Sequence, residues 1–358
     1  MLCYILTTGL CNLKCKYCGG SFPEHLVPRR ISYTIDELES FLEGVDELVI
    51  AFYGGEPLLN PSWIRAVMDY FSSPRYVIQT NGLLLDRLEE DYWRRMDTVL
   101  LSIDGPENVT DGYRGRGVYR AVIRAAEGLR SMGFDGDLIA RMTISRNSDV
   151  RRDVKHLLSL GLFDHVHWQV DAIWSPKWRG FEEWLFKNYI PGLLSLVHEW
   201  VEELCSGDVV GIAPFKAIMT SLLEGRSLGA PPCGAGWGAV AINTNGDILS
   251  CPIAVDASWA KLGNVRDSSW RDVLGKRVIG EPCTMCSYYN VCGGRCLYTH
   301  YERLWGSEGF NMMCEATRRL IDALREVKPL VEESLRLGIV SMKDIRYPPY
   351  LNSVEVIP

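Results

Sequence analysis

Cys11, Cys15 and Cys18 stand at C-x3-C-x2-C spacing in CNLKCKYC, directly after a short apolar run at residues 3–6. Three ligands this close lie on one loop at the mouth of the first strand, and they constrain the fold more than any other feature of the chain. On a four-iron cube, three thiolates leave one iron without a protein ligand, a place where a small molecule chelates. The competing arrangement is a zinc ion that borrows a fourth ligand from Cys3 or His25. Zinc sites usually bring paired C-x2-C knuckles, whereas C-x3-C-x2-C wraps one larger cube, so the spacing favours iron–sulfur.

At 358 residues, 47% apolar and 23% charged, the chain has the makeup of a soluble globular protein with room for two domains. A net charge of -7 argues against a nucleic-acid partner, because phosphate binding leaves clustered Lys and Arg in excess. No apolar stretch reaches the roughly 18 residues of a membrane span, so a cytoplasmic location and no membrane partner are expected. Seven of the twelve cysteines, at 11, 15, 18, 283, 286, 292 and 296, fall in short metal-ligand spacings, and the cysteines read as thiolates, not disulfides; Cys3 and Cys205 read as buried thiols.

Apolar runs predict strands over 1–7, 48–52, 76–79, 99–103, 138–145 and 165–170, with helices near 62–71, 88–95, 119–132 and 154–160. Thr34-Ile35-Asp36-Glu37 is a capping box opening a further helix that runs to residue 42. Such β-α units predict an α/β fold, a parallel sheet with helices outside, open or curled into a barrel. After residue 171 the pattern turns helical, at 181–205 and 214–223, which reads as a linker over 181–230. From Cys233 the alternation is lost and cysteine density climbs, predicting a metal-organised domain over 231–314. The tail, 315–358, is helical to about 337.

The segment CNLKCKYC, with Tyr17 before its last cysteine, resembles the signature of radical S-adenosylmethionine (SAM) enzymes. The resemblance implies that SAM chelates the open iron and that electron transfer cleaves it to methionine and a 5′-deoxyadenosyl radical. Tyr53-Gly54-Gly55-Glu56-Pro57 is similar to the family's GGEP segment, where two glycines let carbonyls approach the methionine amino group and Glu56 can pair with a cation. Gln79-Thr80-Asn81-Gly82 and Ser102-Ile103-Asp104-Gly105-Pro106 resemble further strand-end segments of the family. By this resemblance the SAM contacts are Tyr17, Gly54, Gly55, Glu56, Pro57, Asn81, Ser102 and Arg141, on a partial (β/α)6 TIM-like barrel over 1–180.

Cys233, Cys251, Cys283, Cys286, Cys292, Cys296 and Cys314 reproduce the seven-cysteine pattern of the SPASM domain, an auxiliary-cluster extension of that family. The family pattern assigns Cys283, Cys286, Cys292 and Cys314 to one closed [4Fe-4S] cluster, and Cys233, Cys251 and Cys296 to another. Residues 234–250 contain no further cysteine, so this second cluster has an open iron or a non-cysteine ligand. Three [4Fe-4S] clusters and SAM are the implied cofactors.

SPASM proteins mostly act on peptides or proteins, so a peptide or protein substrate is implied, with a reductant such as ferredoxin or flavodoxin. No leader-binding extension precedes the first strand, which points to a separate leader-peptide-binding protein or to direct reading of the core sequence. Sulfatase-maturing members place Asp after the cysteine matching Cys251; here it is Pro252, which counts against that substrate. Candidate acid or base groups are Asp104 and Asp171, at strand ends, with Asp111, Arg114 and Gln169 as further contacts. Trp168, Trp174, Trp178 and Trp184 frame a peptide groove or pack among themselves. The other readings are a small-molecule carbon–hydrogen functionaliser and a non-catalytic metal-cluster scaffold.

Overall fold

The computed structural model describes residues 1–171, 178–227 and 229–347. Six parallel strands, β1 (Leu2–Thr8), β2 (Val49–Gly54), β3 (Arg75–Thr80), β4 (Thr98–Ser102), β5 (Asp137–Ile144) and β6 (His165–Val170), lie side by side in chain order. Since the order never reverses, right-handed crossovers all advance in one direction, as in the winding of a β/α barrel. β1 and β4 are apolar runs because both faces are covered, every residue of each being buried.

The helix Ile35–Leu42 starts at the predicted box. Glu37 N–H donates to Thr34 Oγ1 at 3.1 Å, and Thr34 N–H donates to Glu37 Oε2 at 2.8 Å. The helix Val118–Ser131 buries Val122, Ala126 and Leu129 at helical spacing. One helix, Glu107–Arg114, has no counterpart among the sequence-based expectations. Its residues are mostly polar, and the apolar stripe that would have marked it is missing.

After residue 233 the chain returns to the sheet before leaving it again beyond Asn264. β7 (Ala239–Ile242) runs parallel to β1, from Leu2↔Ala239 to Ile5↔Ile242. β8 (Asp247–Leu249) and β9 (Lys261–Asn264) then add antiparallel, completing nine strands in the order β6-β5-β4-β3-β2-β1-β7-β8-β9. The helix Gly306–Arg336 packs against the helices Ile190–Cys205 and Ala213–Glu224 and carries Cys314.

Trp168 is fully buried and its Nε1–H donates to Tyr189 OH at 3.0 Å. Trp178 and Trp184 meet edge to face at 4.8 Å, and Phe181 meets Trp305 at 4.7 Å, so these aromatics pack among themselves; Trp174 lies outside the described residues. Among the described residues no helix is long and apolar enough to cross a membrane.

Candidate functional site

Two cavities divide the ten clustered cysteines. One, of about 620 Å³, is lined by Cys11, Cys15 and Cys18 together with Cys233, Cys251 and Cys296. The other, of about 150 Å³, is lined by Cys283, Cys286, Cys292 and Cys314. The division does not follow chain order: Cys296 faces a different cavity from Cys292, four residues earlier.

The first triad is fixed against the end of β2 by backbone contacts that only glycine allows. Gly54 has φ +131°, and a Cβ there would lie 2.4 Å from Thr8 O; a Cβ at Gly55 would lie 2.2 Å from Leu10 O. Through this approach Gly55 N–H donates to Thr8 O at 3.0 Å and Glu56 N–H to Leu10 O at 2.8 Å. The cysteine loop leaves from Leu10. Farther on, Lys16 N–H donates to Tyr113 O at 3.0 Å, tying the loop to the helix Glu107–Arg114. Cys18 is pushed down to about 6 by the hydrogen bond from Cys15, whose own thiol is raised in return.

Glu56 is 1% exposed. Its partners are not cations: Oε1 accepts from Thr80 Oγ1 at 2.7 Å and from Leu58 N–H at 3.1 Å, and Oε2 from Asn81 N–H at 2.8 Å. Burial raises its carboxyl, and these three bonds pull it back. The carboxylate therefore pins the end of β3 to the end of β2. Asn81 continues the seam, donating from Nδ2 to Asn12 Oδ1 at 2.7 Å, inside the cysteine loop. Pro57 opens the turn Pro57–Leu59, and its carbonyl accepts from Thr7 Oγ1 at 3.2 Å; it does not line the cavity. Ser102 on β4 stands in register with Arg141 on β5, and both line the cavity.

Asp104 and Asp171, paired in the sequence-based expectation, stand in different places. Asp104 is fully buried behind the cavity wall. Its Oδ1 accepts from Arg114 Nη2 at 2.8 Å and Thr143 N–H at 2.8 Å, and its Oδ2 from Arg114 Nε at 2.9 Å and Tyr17 OH at 2.9 Å. Four donors occupy a carboxylate with about four acceptor directions. Arg114 also lies over the Tyr17 ring, 5.4 Å from its centroid. Asp171 lines the cavity, as does Gln169, and accepts from Ser145 Oγ at 2.9 Å. Asp111 lies outside the cavity lining and caps the next helix, accepting from Gly117 N–H at 2.6 Å and Tyr119 N–H at 2.8 Å.

Sequence reasoning missed Asn12, Thr80 and Arg295; the only signal for the last is its place between two cysteines of different sites. The donor set fits iron–sulfur clusters: ten free thiols group as three, three and four on two cavities. Among the described residues no three His, Cys, Asp or Glu side chains converge as on a single ion. The glycine seam leaves backbone, with no side chain, beside the first triad, a fit for an amino-acid ligand such as the methionine end of SAM.

Residues 5–172 match the family model of the radical SAM superfamily, and residues 233–297 match that of the iron–sulfur cluster-binding SPASM domain. The two domains indicate iron–sulfur clusters and SAM binding. The chain is 24% identical over 343 residues to the cysteine-type anaerobic sulfatase-maturating enzyme of Clostridium perfringens, covering 87% of this chain and 92% of that protein. It is 24% identical over 312 residues to the mycofactocin maturase of Mycolicibacterium smegmatis, covering 81% and 76%. Among solved structures, native anSMEcpe with bound AdoMet and the Cp18Cys peptide has a TM-score of 0.73 at 20% identity, covering 94% of this chain and 99% of that one.

Proposed function

We propose that this chain, which belongs to the radical SAM superfamily and carries a C-terminal SPASM domain, modifies a peptide or protein by radical chemistry started from SAM. The observation that carries this reading is the 620 Å³ cavity shared by both cysteine triads, room for a cofactor and a substrate side chain between two metal sites. That matched relatives are named maturases and that one related structure holds a peptide supports a peptide as substrate.

Cys11, Cys15 and Cys18 would hold one cluster, Cys233, Cys251 and Cys296 a second, and Cys283, Cys286, Cys292 and Cys314 a third. Bound there, the first would supply the one-electron reduction of SAM that starts radical chemistry on the substrate. Gly54 and Gly55 offer backbone to the methionine end, with Glu56 and Pro57 holding that backbone in place. Asn81, Ser102 and Arg141 face the same space, and Arg141 brings a forked donor suited to a carboxylate. Tyr17, fixed by Asp104 and Arg114, backs the cysteine loop. Asp171, on the cavity wall, is the side chain placed to take a proton from substrate; Asp104, with its acceptor directions filled, positions the loop. The electron comes from a ferredoxin- or flavodoxin-type reductant.

Anaerobically purified protein is expected to carry about twelve irons per chain and to form 5′-deoxyadenosine from SAM and dithionite. Replacing Cys11, Cys15 and Cys18 together by Ala should remove about four irons and abolish that product. Persistent 5′-deoxyadenosine in the triple variant, or stoichiometric zinc in place of iron, sinks the reading.

A further inference from the structure

Arg295 lies in the run Cys292-Gly293-Gly294-Arg295-Cys296, between cysteines that face different cavities. Three successive residues are left-handed, Gly293 at φ +60°, Gly294 at +80° and Arg295 at +59°. The glycines accept this freely, whereas a residue with a Cβ is strained there. The strained turn is held by Arg295 N–H donating to Cys292 O at 3.0 Å and Cys296 N–H to Gly294 O at 2.8 Å.

The turn directs the Arg295 side chain inward, where the residue is 6% exposed and lines both cysteine cavities. A buried guanidinium normally has a carboxylate beside it, as Arg114 has Asp104 at 2.8 Å. Among the described residues Arg295 forms no such ion pair. Glu302, on a small neighbouring cavity that Arg295 also lines, instead accepts from Trp259 Nε1 at 2.6 Å. The cysteines of both auxiliary sites line these two cavities with it, Cys233, Cys251 and Cys296 on one and Cys283, Cys286, Cys292 and Cys314 on the other.

We propose that Arg295 is the shared buried counter-cation of the two auxiliary cluster sites and sets their reduction potentials. The proposal rests on the reading that the SPASM cysteines hold clusters. Reduction adds one electron to a cluster already made anionic by its thiolates, with no bond made or broken and no proton moved. A fixed positive charge in a dry wall favours the reduced form, so Arg295 raises the potential. Arg318 supplies a contrast: its Nη2 lies 3.8 Å from Cys286 Sγ, but on the exposed side of the site, where water and salt weaken its field.

The test is a dithionite titration of the anaerobic holoprotein followed by electron paramagnetic resonance, on wild type, Arg295→Gln, Arg295→Lys and Arg318→Gln. Arg295→Gln should lower the midpoint of at least one auxiliary cluster by a tenfold or greater change in the reduced-to-oxidised ratio, about 59 mV for one electron. Arg295→Lys should stay near wild type, and Arg318→Gln should shift less, by an amount that shrinks with added salt. Arg295→Gln with full iron and unmoved midpoints overturns the proposal while leaving the cluster reading intact. If Arg295→Gln loses iron, Arg295→Lys decides: retained iron at the wild-type midpoint supports a charge role, and equal loss overturns it in favour of packing. Wild type with no auxiliary signals overturns both the proposal and the reading beneath it.

Discussion

Asp104 and Arg114 form a pair with side-chain exposures of 0% and 7%, so removing either leaves the other as an uncompensated buried charge. Asp104→Asn should destabilise the fold by about 3–5 kcal/mol in denaturant unfolding and slacken the cysteine loop, since one oxygen is left for the donors of Arg114, Thr143 and Tyr17. A loss below about 1 kcal/mol would mean that water reaches the pair. At this scale the sequence reveals residue types more readily than directions. Glu56 was legible as a functional acid in a Gly-Gly-Glu-Pro turn, yet its three partners include the backbone of residues 58 and 81, which no local pattern names. Asp104 and Asp171 look equivalent as strand-end carboxylates, and only packing separates the saturated one from the one on the cavity wall.

The hairpin of β8 and β9 depends on Asp247, placed opposite Asn264. Burial raises the Asp247 carboxyl, but Lys261 at 2.8 Å and the amides of Asn264 and Asn245 outweigh it and leave it below the usual carboxylate range. A carboxyl depressed on folding stabilises above its unfolded pKa and loses that contribution as pH falls through the folded value. Asp247→Asn should therefore lower stability by about 0.5–1 kcal/mol at neutral pH, discounted because Lys261 is 56% exposed. The difference from wild type should fade as unfolding is measured below the carboxylate range; a gap independent of pH would assign the loss to geometry instead. β1 and β4 were legible as apolar runs buried on both faces, whereas β6, His165–Val170, was legible instead as an alternation of polar and apolar residues. β7, β8 and β9 were not, because segments of three or four residues are too short to show alternation.

Across the whole molecule, two kinds of cohesion meet. β1 to β6 bury a continuous apolar core that β7 and β8 join, whereas the rest of the segment carrying Cys233 to Cys296 packs a second, small apolar cluster around Ala235, Ala254, Ile279 and Leu297. Metal binding is expected to supply much of that segment's stability. Stripping iron with a chelator should raise amide hydrogen exchange over residues 283–314 while β2 to β5 stay protected; uniform exchange would show instead that the molecule opens as one unit. The pairing of β7 with β1 has a practical consequence for anyone who trims the chain. A fragment ending before residue 239 would bare the edge of β1 from Leu2 to Ile5, four buried residues with open backbone donors and acceptors. Such an edge recruits strands from other molecules, so the isolated front half should aggregate, and dissection into halves would need a capping strand supplied in place of β7.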